Sequence, residues 1–129
     1  MQKSKYIWFN GKFVPWNSAK THVLSHGLHY GSGIFEGIRA YSNKTNTFIF
    51  RLDDHYKRFY NSAKVAMIKI PYSKKVLEDA TIKLLKKNNL KDCYIRPLAF
   101  IGDGAIGINP ANNKINVIIA AFKWGTYLG

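Results

Sequence analysis

Strand-like segments lie at both ends of this chain and enclose two helical segments. The strand-like runs are rich in apolar and aromatic residues and cover 6–9, 12–14, 34–41, 47–52, 94–101 and 116–122. Asn10 and Gly11 join the first two runs and predict a hairpin, because Asn-Gly fits a type I′ turn. Since the strands cluster instead of alternating with helices, we expect an α+β domain with an antiparallel sheet and two helices.

Two segments with helical periodicity occupy the middle of the chain. The first is expected to be capped by Asp53 and to carry on one face Tyr56, Phe59, Ala63 and Met67. The second is expected over 73–88, with an inward face of Val76, Leu77, Ala80 and Leu84. The strand over 94–101 contains Pro97, which lacks a backbone donor and predicts an edge or a bulge there.

Length and composition indicate one ordered domain. The 129 residues are 47% hydrophobic, which excludes a disordered chain, and 14.7 kDa suits a single domain. The longest apolar runs fall short of the roughly 18 residues that cross a bilayer, and we expect neither a membrane segment nor a signal peptide. The single cysteine, Cys93, suits a reducing compartment, so we expect a cytoplasmic protein.

The chain is strongly basic, with 20 lysines and arginines against 7 acidic residues and a net charge of +13. One hypothesis is therefore a basic module that binds nucleic acid or an anionic surface. The scattered lysines favour a solubilising surface instead. The arginines lie in or beside aromatic segments, where a guanidinium suits a carboxylate or a phosphate; they are Arg39, Arg51, Arg58 and Arg96.

Two motifs resemble ligand-binding patterns, but the residues around them favour other interpretations. Residues 102–107 match the dinucleotide pattern G-x-G-x-x-G, yet Pro110 follows closely and disfavours the helix that this fingerprint needs. We therefore expect an irregular loop there. His22, His26 and His29 have the composition of a metal cluster, but the surrounding glycines argue against a regular helix and favour turn or core histidines without a metal.

Two arginines are candidates for binding sites. Tyr94 and Arg96 share one face of a strand, where a guanidinium and a hydroxyl can together bind a carboxylate. Arg58 lies on the first predicted helix, and its position alone leaves open a solvated arginine or a site residue. Glu36 is the acidic residue of the preceding strand region, so structural ion pairing is the alternative for Arg96.

Several short motifs together resemble a known enzyme family. In chain order they are Ile7-Trp8-Phe9-Asn10-Gly11, His29-Tyr30-Gly31, Ile34-Phe35-Glu36-Gly37-Ile38-Arg39, His55 with Arg58, Tyr94-Ile95-Arg96-Pro97, Gly107-Ile108-Asn109-Pro110 and Trp124-Gly125-Thr126-Tyr127-Leu128-Gly129. Over essentially the whole chain they resemble the N-terminal part of branched-chain amino-acid aminotransferases, which are class IV, fold-type IV enzymes that use pyridoxal 5′-phosphate. D-amino-acid aminotransferases and aminodeoxychorismate lyases are similar alternatives, although they usually lack the arginine-proline strand.

The resemblance implies roles for individual residues. Arg58 matches the arginine that binds the cofactor phosphate. The substrate pocket is implied at Phe35, Tyr30, Tyr94, Arg96, Ile108, Trp124 and Tyr127. Among these, Arg96 matches the residue that receives the distal carboxylate of glutamate, and part of the pocket belongs to a neighbouring subunit.

The resemblance also implies what this chain lacks. Residues 1–129 match a small N-terminal domain, whereas the lysine that forms the Schiff base with the cofactor lies beyond Gly129, so this chain contains no catalytic residue and is expected to be inactive alone. The complete enzyme would interconvert leucine, isoleucine and valine with their 2-oxo acids, using 2-oxoglutarate and glutamate. A cytoplasmic homodimer or larger homo-oligomer is implied, without a nucleic-acid or membrane partner. Preference among the three amino acids stays open.

Overall fold

The structure, a computed structural model, describes residues 1–124 and contains one antiparallel sheet with helices on it. Within these residues the strands are β1 (Tyr6–Phe9), β2 (Lys12–Pro15), β3 (Gly33–Phe35), β4 (Ile38–Ser42), β5 (Thr47–Ile49), β6 (Cys93–Ile101) and β7 (Ile115–Phe122). The helices are α1 (His26–Tyr30), α2 (Leu52–Val65) and α3 (Lys74–Lys87), with a 3₁₀ turn at Trp16–Ser18. The strand order is β2-β1-β7-β6-β4-β5, and β3 also pairs with β6. The predicted α+β fold is confirmed, with one additional short helix.

The predicted hairpin between β1 and β2 is present. Asn10 and Gly11 have φ values of +48° and +89°, which suit the turn that Asn-Gly favours. The Asn10 side chain also accepts a hydrogen bond from the Val117 amide at 2.8 Å and donates one to the Asn116 side chain at 2.8 Å. These bonds attach the hairpin to β7, which pairs with β1 in the sheet.

Of the edge or bulge predicted at Pro97, neither is present, because Pro97 lies in the centre of the sheet and the pairing register continues past it. β6 pairs with β7 on one side and with β3 and β4 on the other. The Glu36 amide donates to the Pro97 carbonyl at 3.0 Å, but Pro97 has no N–H to return the second bond of that pair. The missing donor therefore lies opposite the interruption between β3 and β4.

The hydrophobic core lies between the sheet and the two long helices. Sheet residues such as Trp8, Ile38 and Ile95 are buried with Phe59 of α2 and Leu84 of α3. Ser73 caps α3 by accepting a hydrogen bond from the Val76 amide at 3.3 Å. Val76 itself is exposed, which corrects its predicted inward position.

The ends of α2 differ from the sequence-based expectation. Asp53 is not the cap, because the helix begins after Arg51 and Asp53 already lies in its first turn, where it pairs with Lys57 and Lys74. Met67 is 87% exposed, because α2 ends at Val65 and the chain turns through a positive φ of +55° at Met67. Ile68 is buried in its place.

The glycine-rich segment before β3 contains one helical turn, α1, where the sequence predicted only a loop. Gly31 ends this turn with a φ of +67°. His26 is buried and bonds to the Ser32 hydroxyl through Nδ1 at 2.7 Å, and His29 bonds to the Val23 carbonyl at 2.9 Å. The prediction of turn or core histidines is confirmed for His26, which is in the core, whereas His29 is exposed and lies in α1. Residues 102–114 are irregular backbone with bends and one turn at Ala111 and Asn112, which confirms the predicted irregular loop.

None of the helices in residues 1–124 has the length and apolar character needed to cross a membrane.

A buried pair of hydroxyl groups joins α2 to α3. The Thr81 hydroxyl donates to the Leu77 carbonyl at 2.8 Å, and the Tyr56 hydroxyl lies 2.7 Å from the same Thr81 oxygen. A hydroxyl has one proton, so Tyr56 must donate to Thr81. Both side chains are fully buried, and burial raises the pKa of Tyr56.

We predict that Thr81→Val destabilises the protein by about 1–3 kcal/mol, because it leaves the buried Tyr56 hydroxyl without an acceptor. The double variant Tyr56→Phe/Thr81→Val should be more stable than Thr81→Val alone, since it removes that unpaired group. Urea unfolding followed by circular dichroism measures both free energies. Strictly additive losses in the double variant would contradict the assigned bond.

Candidate functional site

The candidate site is built around the short interruption between β3 and β4. Side chains alternate between the two faces of a strand. Glu36 accordingly shares the helix-covered face with buried Ile38, whereas Phe35 and Gly37 face the opposite side. Consecutive residues rise by about 3.3 Å along a strand. The side chains of Phe35 and Glu36, which lie on opposite faces of the sheet, therefore start from adjacent backbone positions.

On the helix-covered face, Glu36 holds two residues of α2. The Arg58 guanidinium donates through Nε to Oε1 at 2.6 Å and through Nη2 to Oε2 at 2.8 Å. His55 donates through Nδ1 to Oε2 at 2.9 Å, because an ionised carboxylate only accepts hydrogen bonds. His55 and Arg58 are three residues apart and so lie on the same face of the helix.

The electrostatics of this cluster favour a charged carboxylate. Burial alone would raise the pKa of Glu36, whose side chain is only 5% exposed, but the hydrogen bonds from Arg58 and His55 outweigh burial and lower that pKa. The hydrogen bond with Glu36 likewise raises the pKa of Arg58. Both groups are thus ionised at neutral pH.

Arg58 also presents a cation to the surface. Its side chain is 68% exposed, and among residues 1–124 its Nη1 group makes no hydrogen bond or ion pair. A cavity of about 400 Å³ adjoins it, lined by Phe50, Arg51, Asp54, His55 and Arg58. The Nε edge of the guanidinium is therefore occupied, whereas the Nη1 edge is available to an anion.

On the opposite face, Arg96 is held by two aromatic residues. Its guanidinium carbon lies 4.2 Å from the centre of the Phe35 ring, and Nη2 donates to the Tyr94 hydroxyl at 2.7 Å. Trp124 packs edge-on against Tyr94 with ring centres 4.6 Å apart. The structure thus brings together four of the predicted pocket residues, and Glu36, the alternative partner of Arg96, pairs with Arg58 instead.

Two further predicted residues lie in a second group. The Tyr30 hydroxyl donates to the Ile106 carbonyl at 3.0 Å, and its ring stacks on His26 at 4.3 Å. Ile108, in the same loop as Ile106, is 87% exposed. Tyr127 lies outside the described residues. An apolar cavity of about 340 Å³ lies between this region and the sheet, lined among others by Gly27, Leu28, Gly31, Phe35, Leu98 and Phe100.

Glu36 and His55 are site residues that were not predicted from the sequence. Glu36 lies in an apolar strand region, and His55 lies three residues before Arg58. A lone acid in a predicted buried strand needs a cation as its partner, and an arginine or histidine on a packed helix can supply one. The choice between Arg58 and Arg96 nevertheless depends on which face of the strand Glu36 occupies.

Gly37 leaves room for the Tyr94 hydroxyl, since a Cβ atom at position 37 would overlap it. We predict that Gly37→Ala displaces Tyr94 and destabilises the protein by about 1–3 kcal/mol through overpacking. Gly107→Ala is the matched control, because a Cβ there meets no atom within 4 Å. Urea unfolding measures both variants, and equal stabilities would contradict the close approach.

Comparisons with known proteins agree on one family. The sequence profile described as amino-transferase class IV matches residues 33–128. The branched-chain-amino-acid aminotransferase of Escherichia coli strain K12 is 48% identical over 129 residues, which cover 99% of this chain and 42% of that protein. The crystal structure of the E. coli enzyme superposes with a TM-score of 0.94 at 48% identity, covering 98% of this chain and 42% of that one.

A second solved structure contains a bound ligand. It is the T.th. branched-chain amino acid aminotransferase complexed with N-(5′-phosphopyridoxyl)-L-glutamate, at a TM-score of 0.91 and 51% identity, covering 96% of this chain and 42% of that one. The chain therefore spans less than half the length of these relatives. With the profile matching most of its residues, the chain belongs to the class IV aminotransferase family.

Proposed function

We propose that this chain is the N-terminal small domain, residues 1–129, of a branched-chain amino-acid aminotransferase that uses pyridoxal 5′-phosphate. The observation that carries the proposal is the exposed Arg58 guanidinium, held on one edge by Glu36 and available on the other. The phosphopyridoxyl-glutamate bound by the T.th. relative supports it, because that molecule contains both a phosphate and the carboxylates of glutamate.

The described residues fit the phosphate of this cofactor. A guanidinium matches phosphate geometry through two parallel N–H groups, and Arg58 retains Nη1 together with the second proton of Nη2. When bound, pyridoxal 5′-phosphate supplies the electron sink that transamination requires. In this proposal Arg58 binds and orients the phosphate, and the lysine that anchors the cofactor lies outside this chain.

Arg96 is proposed to bind the distal carboxylate of glutamate or 2-oxoglutarate. The ring of Phe35 and the Tyr94 hydroxyl support its guanidinium from two sides, which limits its orientations. The same contacts cover part of the cation when an aliphatic side chain occupies the pocket. Phe35, Tyr94 and Trp124 then offer aromatic surface to leucine, isoleucine or valine.

The remaining pocket residues are Tyr30, Ile108 and Tyr127. Tyr30 and Ile108 are exposed and therefore available to complete a pocket of a neighbouring subunit in a homodimer or larger homo-oligomer. Tyr127 is proposed from its motif alone. A cytoplasmic location completes the proposal and fits the free, buried Cys93, whose thiol has a pKa that burial raises to about 11.

The experiment is a transamination assay of the complete protein that we propose carries this chain. It should convert leucine and 2-oxoglutarate to the 2-oxo acid and glutamate when pyridoxal 5′-phosphate is supplied. Arg96→Ala should lower kcat/KM for glutamate by about 100-fold, because it removes a charge-assisted pair worth about 3 kcal/mol. The value for leucine should change by less than about threefold.

The two amino acids serve as controls for each other, since both need the same cofactor and the same protein fold. Equal losses for glutamate and leucine would contradict the role of Arg96. A complete protein that transaminates neither substrate would contradict the proposed function itself.

A further inference from the structure

We propose that Glu36 is a positioning residue for the cofactor phosphate: its buried carboxylate holds the Arg58 guanidinium with the Nη1 edge turned outward to receive that phosphate. The inference rests on the proposed function, because it assumes that a phosphate-bearing cofactor binds at Arg58. Glu36 itself would not touch the cofactor.

The first support is the geometry of the ion pair. Both carboxylate oxygens of Glu36 receive a hydrogen bond from Arg58, at 2.6 and 2.8 Å. Two parallel bonds between planar groups fix the plane and the rotation of the guanidinium as well as its distance. A single bond would leave the guanidinium free to rotate about it.

The second support is the contrast in exposure between the two partners. The Arg58 side chain is 68% exposed, so little packing restricts it, whereas the Glu36 side chain is 5% exposed and fixed in the protein interior. An exposed arginine normally loses rotamer freedom when it binds an anion. Glu36 removes that freedom before the cofactor arrives, which strengthens binding through preorganisation.

His55 completes the arrangement from the second side of the carboxylate. Its Nδ1 donates to the same Oε2 atom that receives Arg58 Nη2, at 2.9 Å. Glu36 therefore receives three hydrogen bonds, two from Arg58 and one from His55, and the His55 bond holds the carboxylate in the orientation that faces Arg58. His55 is the residue that holds Glu36, as Glu36 holds Arg58.

A competing effect has the opposite sign. The negative charge of Glu36 partly cancels the positive charge of Arg58 and so reduces the attraction of Arg58 for a phosphate. Dissolved salt around the exposed guanidinium screens the repulsion between the Glu36 carboxylate and the phosphate. Glu36 also occupies the Nε edge of the guanidinium, whereas the phosphate is proposed to bind at Nη1. We therefore expect loss of orientation to outweigh the gain in net positive charge when Glu36 is neutralised.

The test compares cofactor affinity with and without the phosphate group in the complete apoprotein. Pyridoxal 5′-phosphate and pyridoxal are titrated separately, and absorbance gives each dissociation constant. Glu36→Gln should weaken binding of pyridoxal 5′-phosphate about tenfold, equivalent to about 1.4 kcal/mol, and change pyridoxal binding less than twofold. Glu78→Gln is the matched control, because it neutralises a carboxylate paired with Lys74 on another helix and should alter neither constant.

A second variant covers the case in which Glu36→Gln fails to fold. Glu36→Asp keeps the charge but shortens the side chain by one methylene. Its two carboxylate oxygens therefore cannot both hydrogen-bond Arg58 at the present distances. This variant should also bind pyridoxal 5′-phosphate more weakly while leaving pyridoxal unaffected. A folded Glu36 variant with unchanged or tighter binding of pyridoxal 5′-phosphate, or with equal losses for both ligands, would overturn the inference.

Arg58→Ala separates this inference from the proposed function. If it weakens pyridoxal 5′-phosphate selectively while the folded Glu36 variants do not, Arg58 binds the phosphate without help and only the positioning role is wrong. If Arg58→Ala leaves both dissociation constants unchanged, the phosphate does not bind at Arg58, and the proposed cofactor site is wrong as well.

Discussion

The buried carboxylate of Glu36 constrains how the sheet and α2 meet. An ionised carboxylate in a protein interior is unfavourable unless cations and hydrogen-bond donors surround it. Arg58 and His55 satisfy it from the same face of α2. This requirement sets the rotation of α2 about its own axis relative to the interruption between β3 and β4. The same interaction leaves one edge of the Arg58 guanidinium at the surface.

The last residue of β3 and the two residues of the interruption that follows it contact side chains on both faces of the sheet. Phe35 supports Arg96, Glu36 supports Arg58, and Gly37 leaves space for the Tyr94 hydroxyl. Pro97 lies opposite and removes one bond of the ladder at this point. A small departure from regular pairing thus places two candidate ligand-binding arginines from neighbouring positions, one on each face.

Local sequence patterns predict most of this fold, because turn chemistry and apolar periodicity act over a few residues. The Asn10-Gly11 hairpin and the position of α3 follow from such patterns. The partner of Arg58 does not, because Glu36 is 22 residues away and its pairing depends on tertiary packing. An edge or a bulge was expected at Pro97, and the edge is wrong for a similar reason: a central strand tolerates proline where its neighbour is interrupted. The pocket residues were predicted from family motifs, and four of them lie in contact with one another in the structure.

We propose that this chain supplies a preoriented arginine, Arg58, to a cofactor phosphate. The most direct measurement is a crystal structure of the complete protein with pyridoxal 5′-phosphate bound. We predict a phosphate oxygen within hydrogen-bonding distance of Arg58 Nη1, with Glu36 still bonded to Nε and Nη2. A bound cofactor whose phosphate lies away from Arg58, or an Arg58 that leaves Glu36 to reach it, would contradict the account.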